Sequence, residues 1–180
     1  MPSFTDPDEL LTRVTDDDST VLGPVPRRLV HGNPALIHRS THVLVIHPTD
    51  GRVLLQKRSA QKDMHPGQWD TSVGGHVGFG QSYEEAALRE TEEELGLIIG
   101  IQELKKIYTL RFRDEMESEN TATFLCVHAG PFTFNPEEIT EIKFWSRAEI
   151  EAALGTHRLT PNFEQEYAAF IACPHGHLLR

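Results

Sequence analysis

The stretch Gly74-Gly75-His76-Val77-Gly78-Phe79-Gly80-Gln81-Ser82-Tyr83-Glu84-Glu85-Ala86-Ala87-Leu88-Arg89-Glu90-Thr91-Glu92-Glu93-Glu94-Leu95-Gly96-Leu97 decides how this chain is read. Its first half is a glycine-rich loop, and glycine lets backbone approach a ligand or metal closely. Its second half reads as a helix, with Ser82 as N-cap, Glu85 at the capping-box position and Gly96 as C-cap. Between Ser82 and Gly96 lie six glutamates and a single arginine, a net charge of −5 out of the chain's −10. At about 100° per residue, Glu93 and Glu94 fall on either side of Glu90 within one arc of roughly 100°. Carboxylates so placed repel one another. A hard divalent cation removes that penalty, and Mg²⁺ favours a few carboxylates together with substrate phosphate oxygens. One turn earlier, Ala86 and Ala87 are small enough to leave these carboxylates accessible, while Leu88, Thr91 and Leu95 share a different side suited to packing inward. From the helix alone, a solvated glutamate face is the simpler account. The glycine loop in front of it allows close approach of backbone to a ligand or metal, and by itself reads equally as a flexible strand-to-helix connection.

Outward from this segment, the chain alternates strands and helices without strict βαβ order. Residues 1–34 read as an irregular N-terminal extension, carrying Gly23-Pro24-Val25-Pro26 and Asn33-Pro34, and residues 35–180 as one domain. Thr41–His47 and Arg52–Lys57 are β-rich and joined by Pro48-Thr49-Asp50-Gly51, a hairpin signal. Residues 61–80 read as loop. Further strands are expected near Lys105–Phe112, Ala122–His128 and Ile142–Trp145, and helices over Arg147–Leu154 and Pro161–Ile171. The pattern predicts an α/β sandwich with a mixed sheet.

The chain has 180 residues, 38% of them hydrophobic, room for a core without disulfide staples. With 17 Lys+Arg against 27 Asp+Glu it is a poor non-specific partner for nucleic acid or an anionic membrane. Cys126 and Cys173 stand far apart and form neither a zinc pair nor a disulfide framework. Met1–Asp18 is acidic, is broken by Pro2 and Pro7, and has no basic stretch followed by an apolar run. The expectation is a cytoplasmic protein.

From Gly75 to Leu97 the sequence reads G-x5-Q-x7-R-E-T-x-E-E-x-G-L. This closely resembles the Nudix box, G-x5-E-x7-R-E-U-x-E-E-x-G-U with U apolar. Gln81 and Thr91 are the two departures. The resemblance implies a Nudix-type α/β/α sandwich with a mixed β-sheet. It implies that Glu90, Glu93 and Glu94, joined by the Gly74 carbonyl, hold Mg²⁺ or Mn²⁺, that Arg89 supports them, and that water attacks a phosphorus of an organic diphosphate. In the family the first glutamate fastens the loop to the helix, often through the box arginine. Gln81 keeps a hydrogen bond there and loses an ion pair.

Upstream, Leu55-Gln56-Lys57-Arg58-Ser59-Ala60-Gln61-Lys62 and Pro66-Gly67-Gln68-Trp69-Asp70 resemble isopentenyl-diphosphate isomerase and its nearest hydrolases, over about Arg27 to Cys126. That likeness implies substrate-diphosphate contacts from Arg58, Lys62 and Arg27, sensible in an acidic protein that must place cations locally. It also implies a second, transition-metal site at His31, His38, His76 and Glu119. Gly74 stands where the isomerase has its catalytic cysteine and Thr121 where it has a catalytic glutamate, so the proton-exchange chemistry is missing. The leading expectation is a Mg²⁺-dependent hydrolase of a nucleoside diphosphate derivative or another organic diphosphate, a homodimer by family habit. An isomerase-like protein acting on or binding an isoprenoid diphosphate is the alternative, and a binding module without turnover a third class.

Overall fold

The structure is a computed structural model that describes residues 6–62 and 64–180, so the first five residues of the expected extension lie outside it. Strands β1 (Leu10–Val14) and β2 (Val21–Pro26) lead into a short helix, α1 (Arg27–Val30). Then come β3 (His38–Ile46), β4 (Val53–Arg58), β5 (Trp69–Asp70), β6 (Val73–His76) and helix α2 (Tyr83–Leu95). The chain continues with β7 (Lys105–Arg113), β8 (Ser118–Val127), β9 (Ile139–Trp145), α3 (Arg147–Ala153) and α4 (Pro161–Ala172).

The nine strands among the described residues join one mixed sheet centred on β3. β8 runs parallel to β3, from His38 beside Glu119 to Ile46 beside Val127, while β6 runs antiparallel to it, setting His42 opposite Gly74 and Ser40 opposite His76. Side chains alternate across the sheet, as the period of two requires. Val43, Val45, Leu54, Phe124 and Cys126 pack on one face against Tyr83, Ala86, Ala87 and Leu95 of α2. Leu44, Ile46, Val53, Leu55 and Leu125 pack on the other against Ile150 and Ala153 of α3 and Phe163, Tyr167 and Phe170 of α4. The result is the α/β/α sandwich with a mixed sheet.

Four local expectations are corrected. Residues 10–26 are not irregular: β1 and β2 pair antiparallel and join the sheet through Arg13 and His38. Leu11, Val25 and Val30 bury a small cluster of their own there. Pro24 and Pro26 are tolerated because β2 is an edge strand, where a missing N–H breaks no ladder. The Asp-Gly hairpin is only nominal, since β3 and β4 pair at Ile46 and Val53 alone and β4 then runs along β9. The stretch 61–80 is not all loop, because β5 and β6 lie within it. Val73-Gly-Gly-His has little intrinsic strand preference, and the free side of β3 imposes the conformation.

Finally, Ala86 and Ala87 are fully buried. On a helical wheel they share an arc of about 180° with Tyr83, Glu90, Glu94, Thr91 and Leu95. The arc that packs on the sheet therefore carries two of the box glutamates. α2 itself starts and stops as its sequence predicts. Ser82 accepts from the Glu85 N–H, Glu85 accepts from the Ser82 N–H, and Gly96 ends the helix at φ 61°.

Candidate active site

A cleft of about 1420 Å³ opens where the start of β3, β6, the body of α2 and the start of α4 meet. It is lined by Arg27, His31, Arg58, Lys62, Gly74, His76, Arg89, Glu90, Glu93, Glu94 and Glu119, so all but one of the sequence-nominated residues face the same space. The exception, His38, is fully buried just behind the lining.

Glu90 and Glu94 reach from α2 towards β6. A side chain at Gly75 would collide with the Glu90 carboxylate, so glycine here makes room for the acid. Glu94 accepts from the Gly74 N–H at 3.0 Å and from the Gln56 amide at 2.7 Å. Burial, with Glu94 nearby, pushes the Glu90 carboxyl up to about 8, and burial raises Glu94 to about 7. Two carboxyls whose ionisation burial disfavours, side by side in a cleft, signal a place built for positive charge. Arg89 supplies some of it, contacting Glu90 at 2.8 Å and Glu93 at 2.9 Å while donating to the His76 carbonyl at 2.9 Å. Thus Arg89 fastens α2 to β6. Gln81 acts separately, accepting from the Gly78 N–H at 3.1 Å and closing the loop's turn on itself.

Two of the three nominated histidines converge on Glu119. His38 and His76 each place Nε2 near Glu119 Oε1, at 3.6 and 3.7 Å, and their rings lie 5.1 Å apart. His38, His76, Glu119 and Glu117 each offer a ligand atom within 4.8 Å of the others. His31 stands one step outward, 3.5 Å from Glu117. Burial alone would depress His38, but the Glu119 carboxylate outweighs it and raises the imidazole. Burial and the charge on His38 hold His76 well below the ordinary range. Burial also works against ionised Glu119, yet His38 pulls that carboxyl down to about 2, whereas burial beside Glu119 raises Glu117 to about 7. Glu117, which lies one residue before β8 and two from Glu119, escaped the sequence reading.

The three nominated cations all have acidic partners within the cleft. Arg27 pairs with Glu9 at 3.2 Å, Arg58 with Asp70 at 3.0 Å and Lys62 with Glu138 at 2.9 Å. Two further residues were missed, Gln56 and His42. His42 shares the alternating face of His38 and Ser40, and it lines the cleft floor. Its Nδ1 meets Glu166 of α4 at 3.1 Å, and this carboxylate outweighs the effect of burial to raise the imidazole to about 9. Thr121, at the isomerase's glutamate position, is buried with its hydroxyl 2.6 Å from that of Ser40. No helix among the described residues is long and apolar enough to cross a membrane.

Comparison with known proteins gives the family and supports the fold. The NUDIX domain family matches residues 36–165. A Nudix hydrolase of Yersinia pestis is 35% identical over 165 residues, covering 86% of this chain and 88% of its own length. In fold, the crystal structure of DR0079 from Deinococcus radiodurans superposes with a TM-score of 0.67 at 23% identity, over 82% of this chain and 90% of that one. The NUDIX domain of Shewanella oneidensis NrtR, complexed with ADP-ribose, gives 0.56 at 17% identity, over 71% and 82%. The chain belongs to the Nudix hydrolase family, enzymes that cleave pyrophosphate bonds.

Proposed function

We propose that the protein is a Mg²⁺- or Mn²⁺-dependent hydrolase of a nucleoside diphosphate derivative, with ADP-ribose-like compounds as the first class to test. The observation that carries the reading is the single cleft in which Glu90, Glu93 and Glu94 face cationic side chains across a space wide enough for a nucleotide. The ADP-ribose bound by the Shewanella relative is consistent with it.

The donor set fits a hard divalent ion. Two carboxyls raised by burial sit against a glycine strand that leaves Glu90 its space, and an ion there would restore both to their charged form. Glu90, Glu93, Glu94 and the Gly74 carbonyl would hold it. Such an ion, when bound, clamps phosphate oxygens, offsets developing charge and makes water a better nucleophile. The chain's own residues do the rest. Arg89 holds Glu90 and Glu93 in register with β6. Gln56 and the Gly74 N–H fix the Glu94 carboxylate. Glu90 is the carboxylate suited to taking a proton from the attacking water. Arg27, Arg58 and Lys62 exchange their acidic partners for the substrate diphosphate.

The second site would take a softer ion at His38, His76, Glu119 and Glu117, with His31 one step outward. His38 Nε2 is buried without a hydrogen-bond partner, while its Nδ1 lies 3.2 Å from the Leu36 carbonyl, an arrangement that leaves Nε2 as the ligand atom. The positions where the isomerase has its catalytic cysteine and glutamate do not support isomerisation, because Gly74 and the bonded Thr121 hydroxyl offer no acid or base to an alkene. A panel of ADP-ribose, nucleotide sugars, dinucleoside polyphosphates, nucleoside triphosphates and isoprenoid diphosphates, assayed with Mg²⁺, tests the proposal. Turnover of one nucleoside diphosphate derivative, abolished by EDTA, is expected; no release from any member would refute it.

A further inference from the structure

His42 and Glu166 form a buried pair that neither the metal sites nor the nominated diphosphate cations explain. Glu166 is fully buried on α4, and its Oε1 accepts from Thr123 at 2.8 Å as well as meeting His42 Nδ1. Its Oε2 finds no hydrogen-bond partner. A buried carboxylate with one oxygen unmatched costs folding free energy, and apolar residues would fill that space at less cost. A local rule broken without structural benefit marks a functional position. The direction of the pair points to the function. A buried carboxylate needs a partner that brings a proton to it, and among the described residues the His42 imidazole is the basic group it meets, at 3.1 Å. With Nδ1 committed to Glu166, the opposite nitrogen, Nε2, has no protein partner among the described residues. The ring lies against Gly74, its Nε2 3.3 Å from where a Cβ on that residue would stand. Residue 42 lines the cleft, and Glu166 does not. Arg27, Arg58 and Lys62, by contrast, are matched by acids that themselves line the cleft.

We infer that His42 is a substrate-contacting residue whose Nε2–H donates to an oxygen of the diphosphate beside Gly74, and that Glu166 is its positioning residue. The inference rests on the proposed diphosphate hydrolysis and adds to it a directed donor on the cleft floor, with its counter-charge hidden behind. A rigid donor aimed from β3 places the phosphate by hydrogen bonding, where a flexible lysine would act as a point charge.

The test is calorimetric titration of the full chain with α,β-methylene-ADP, which cannot be cleaved between its phosphates, and separately with Mg²⁺ alone. Removing His42 alone would strand a buried charge, so the main variant is His42→Phe/Glu166→Gln. In it the introduced amide oxygen still accepts from Thr123, and the introduced phenyl ring packs on Phe112 as the imidazole does. Glu166→Gln alone keeps the ring of His42 and loosens its aim. The double variant should bind the nucleotide about tenfold or more weakly, the loss typical of a hydrogen bond to a charged group, and Glu166→Gln should fall between it and the wild type. Affinity for Mg²⁺ alone should stay within about twofold, since the donor serves the phosphate. Unchanged nucleotide affinity in the double variant, or equal losses for nucleotide and Mg²⁺, would overturn the role of His42 and leave the hydrolase reading standing. Failure of the wild type to bind the nucleotide with Mg²⁺ present would instead contradict the diphosphate reading and the inference with it.

Discussion

Glu94 shows how much a single residue is asked to do. It lies at the centre of the buried arc of α2, where leucine would pack best, and it holds a charge that burial disfavours. Glu94→Gln should therefore abolish Mg²⁺-dependent turnover while the metal-free protein melts at or above the wild-type temperature. Glu93 is more exposed and pairs with Arg89 at i,i+4, so Glu93→Gln should also abolish turnover but shift stability by only about 0.5 kcal/mol. Thermal melting in EDTA beside an activity assay checks both. A fully active Glu94→Gln enzyme would remove that residue from the metal set. Gly75→Ala makes a sharper demand, because its methyl group would occupy the space of the Glu90 carboxylate. Activity should fall about a hundredfold, the usual penalty for displacing a reacting group by about an ångström. Wild-type rates in this variant would show that the position of Glu90 is immaterial. At this scale the sequence was legible in the clustering of Glu90, Glu93 and Glu94 on one helical arc, while Arg89 was named by the family resemblance alone. It was silent at Gln56, His42 and Glu117, whose roles depend on partners brought by sheet register and not by nearby sequence.

Among the elements, β3 organises the site. Its parallel register with β8 brings Glu119 to His38, and its antiparallel register with β6 brings His76 and Gly74 to the same end. That register could not be read from local patterns: Val73-Gly-Gly-His looks like loop, and the Asp-Gly turn suggested a long hairpin that the sheet does not make. α2 was legible because its caps and charges are local, yet its phase was misjudged at Ala86 and Ala87, where small size serves close packing and not access. The histidine cluster exists as geometry, and its ion can be measured. After dialysis against a mild chelator, elemental analysis should find near-stoichiometric zinc or manganese in the wild type and little in His38→Ala. Retention should fall as pH drops below about 6.5, since protonated imidazole does not bind metal. Equal, negligible metal in both proteins would end the second-site assignment.

For the whole molecule, the buried charges set a pH dependence. Folding raises Glu90 to about 8, and Glu94 and Glu117 to about 7, from an ordinary value of 4.5. The metal-free native state therefore binds more protons than the unfolded chain between these limits, and stability must fall as pH rises. His42, raised to about 9, acts in the same direction above pH 6.5, while Glu119, lowered to about 2, contributes a constant amount there. His76, depressed by burial, opposes the trend only on the acid side of 6.5. Melting temperature in EDTA should thus drop from pH 6.5 to pH 8, and excess Mg²⁺ should recover more of it at pH 8 than at pH 6.5. A flat or rising profile would mean that the cleft carboxyls are solvated. The chemistry itself is best tested by turnover of ADP-ribose, or of whichever panel member is cleaved, in heavy-oxygen water with Mg²⁺. Attack of water on phosphorus predicts one heavy oxygen in a phosphate-bearing product, and no product at all with Glu94→Gln. Product formed without label in any phosphate, or formed equally by Glu94→Gln, would contradict metal-assisted diphosphate hydrolysis in this cleft.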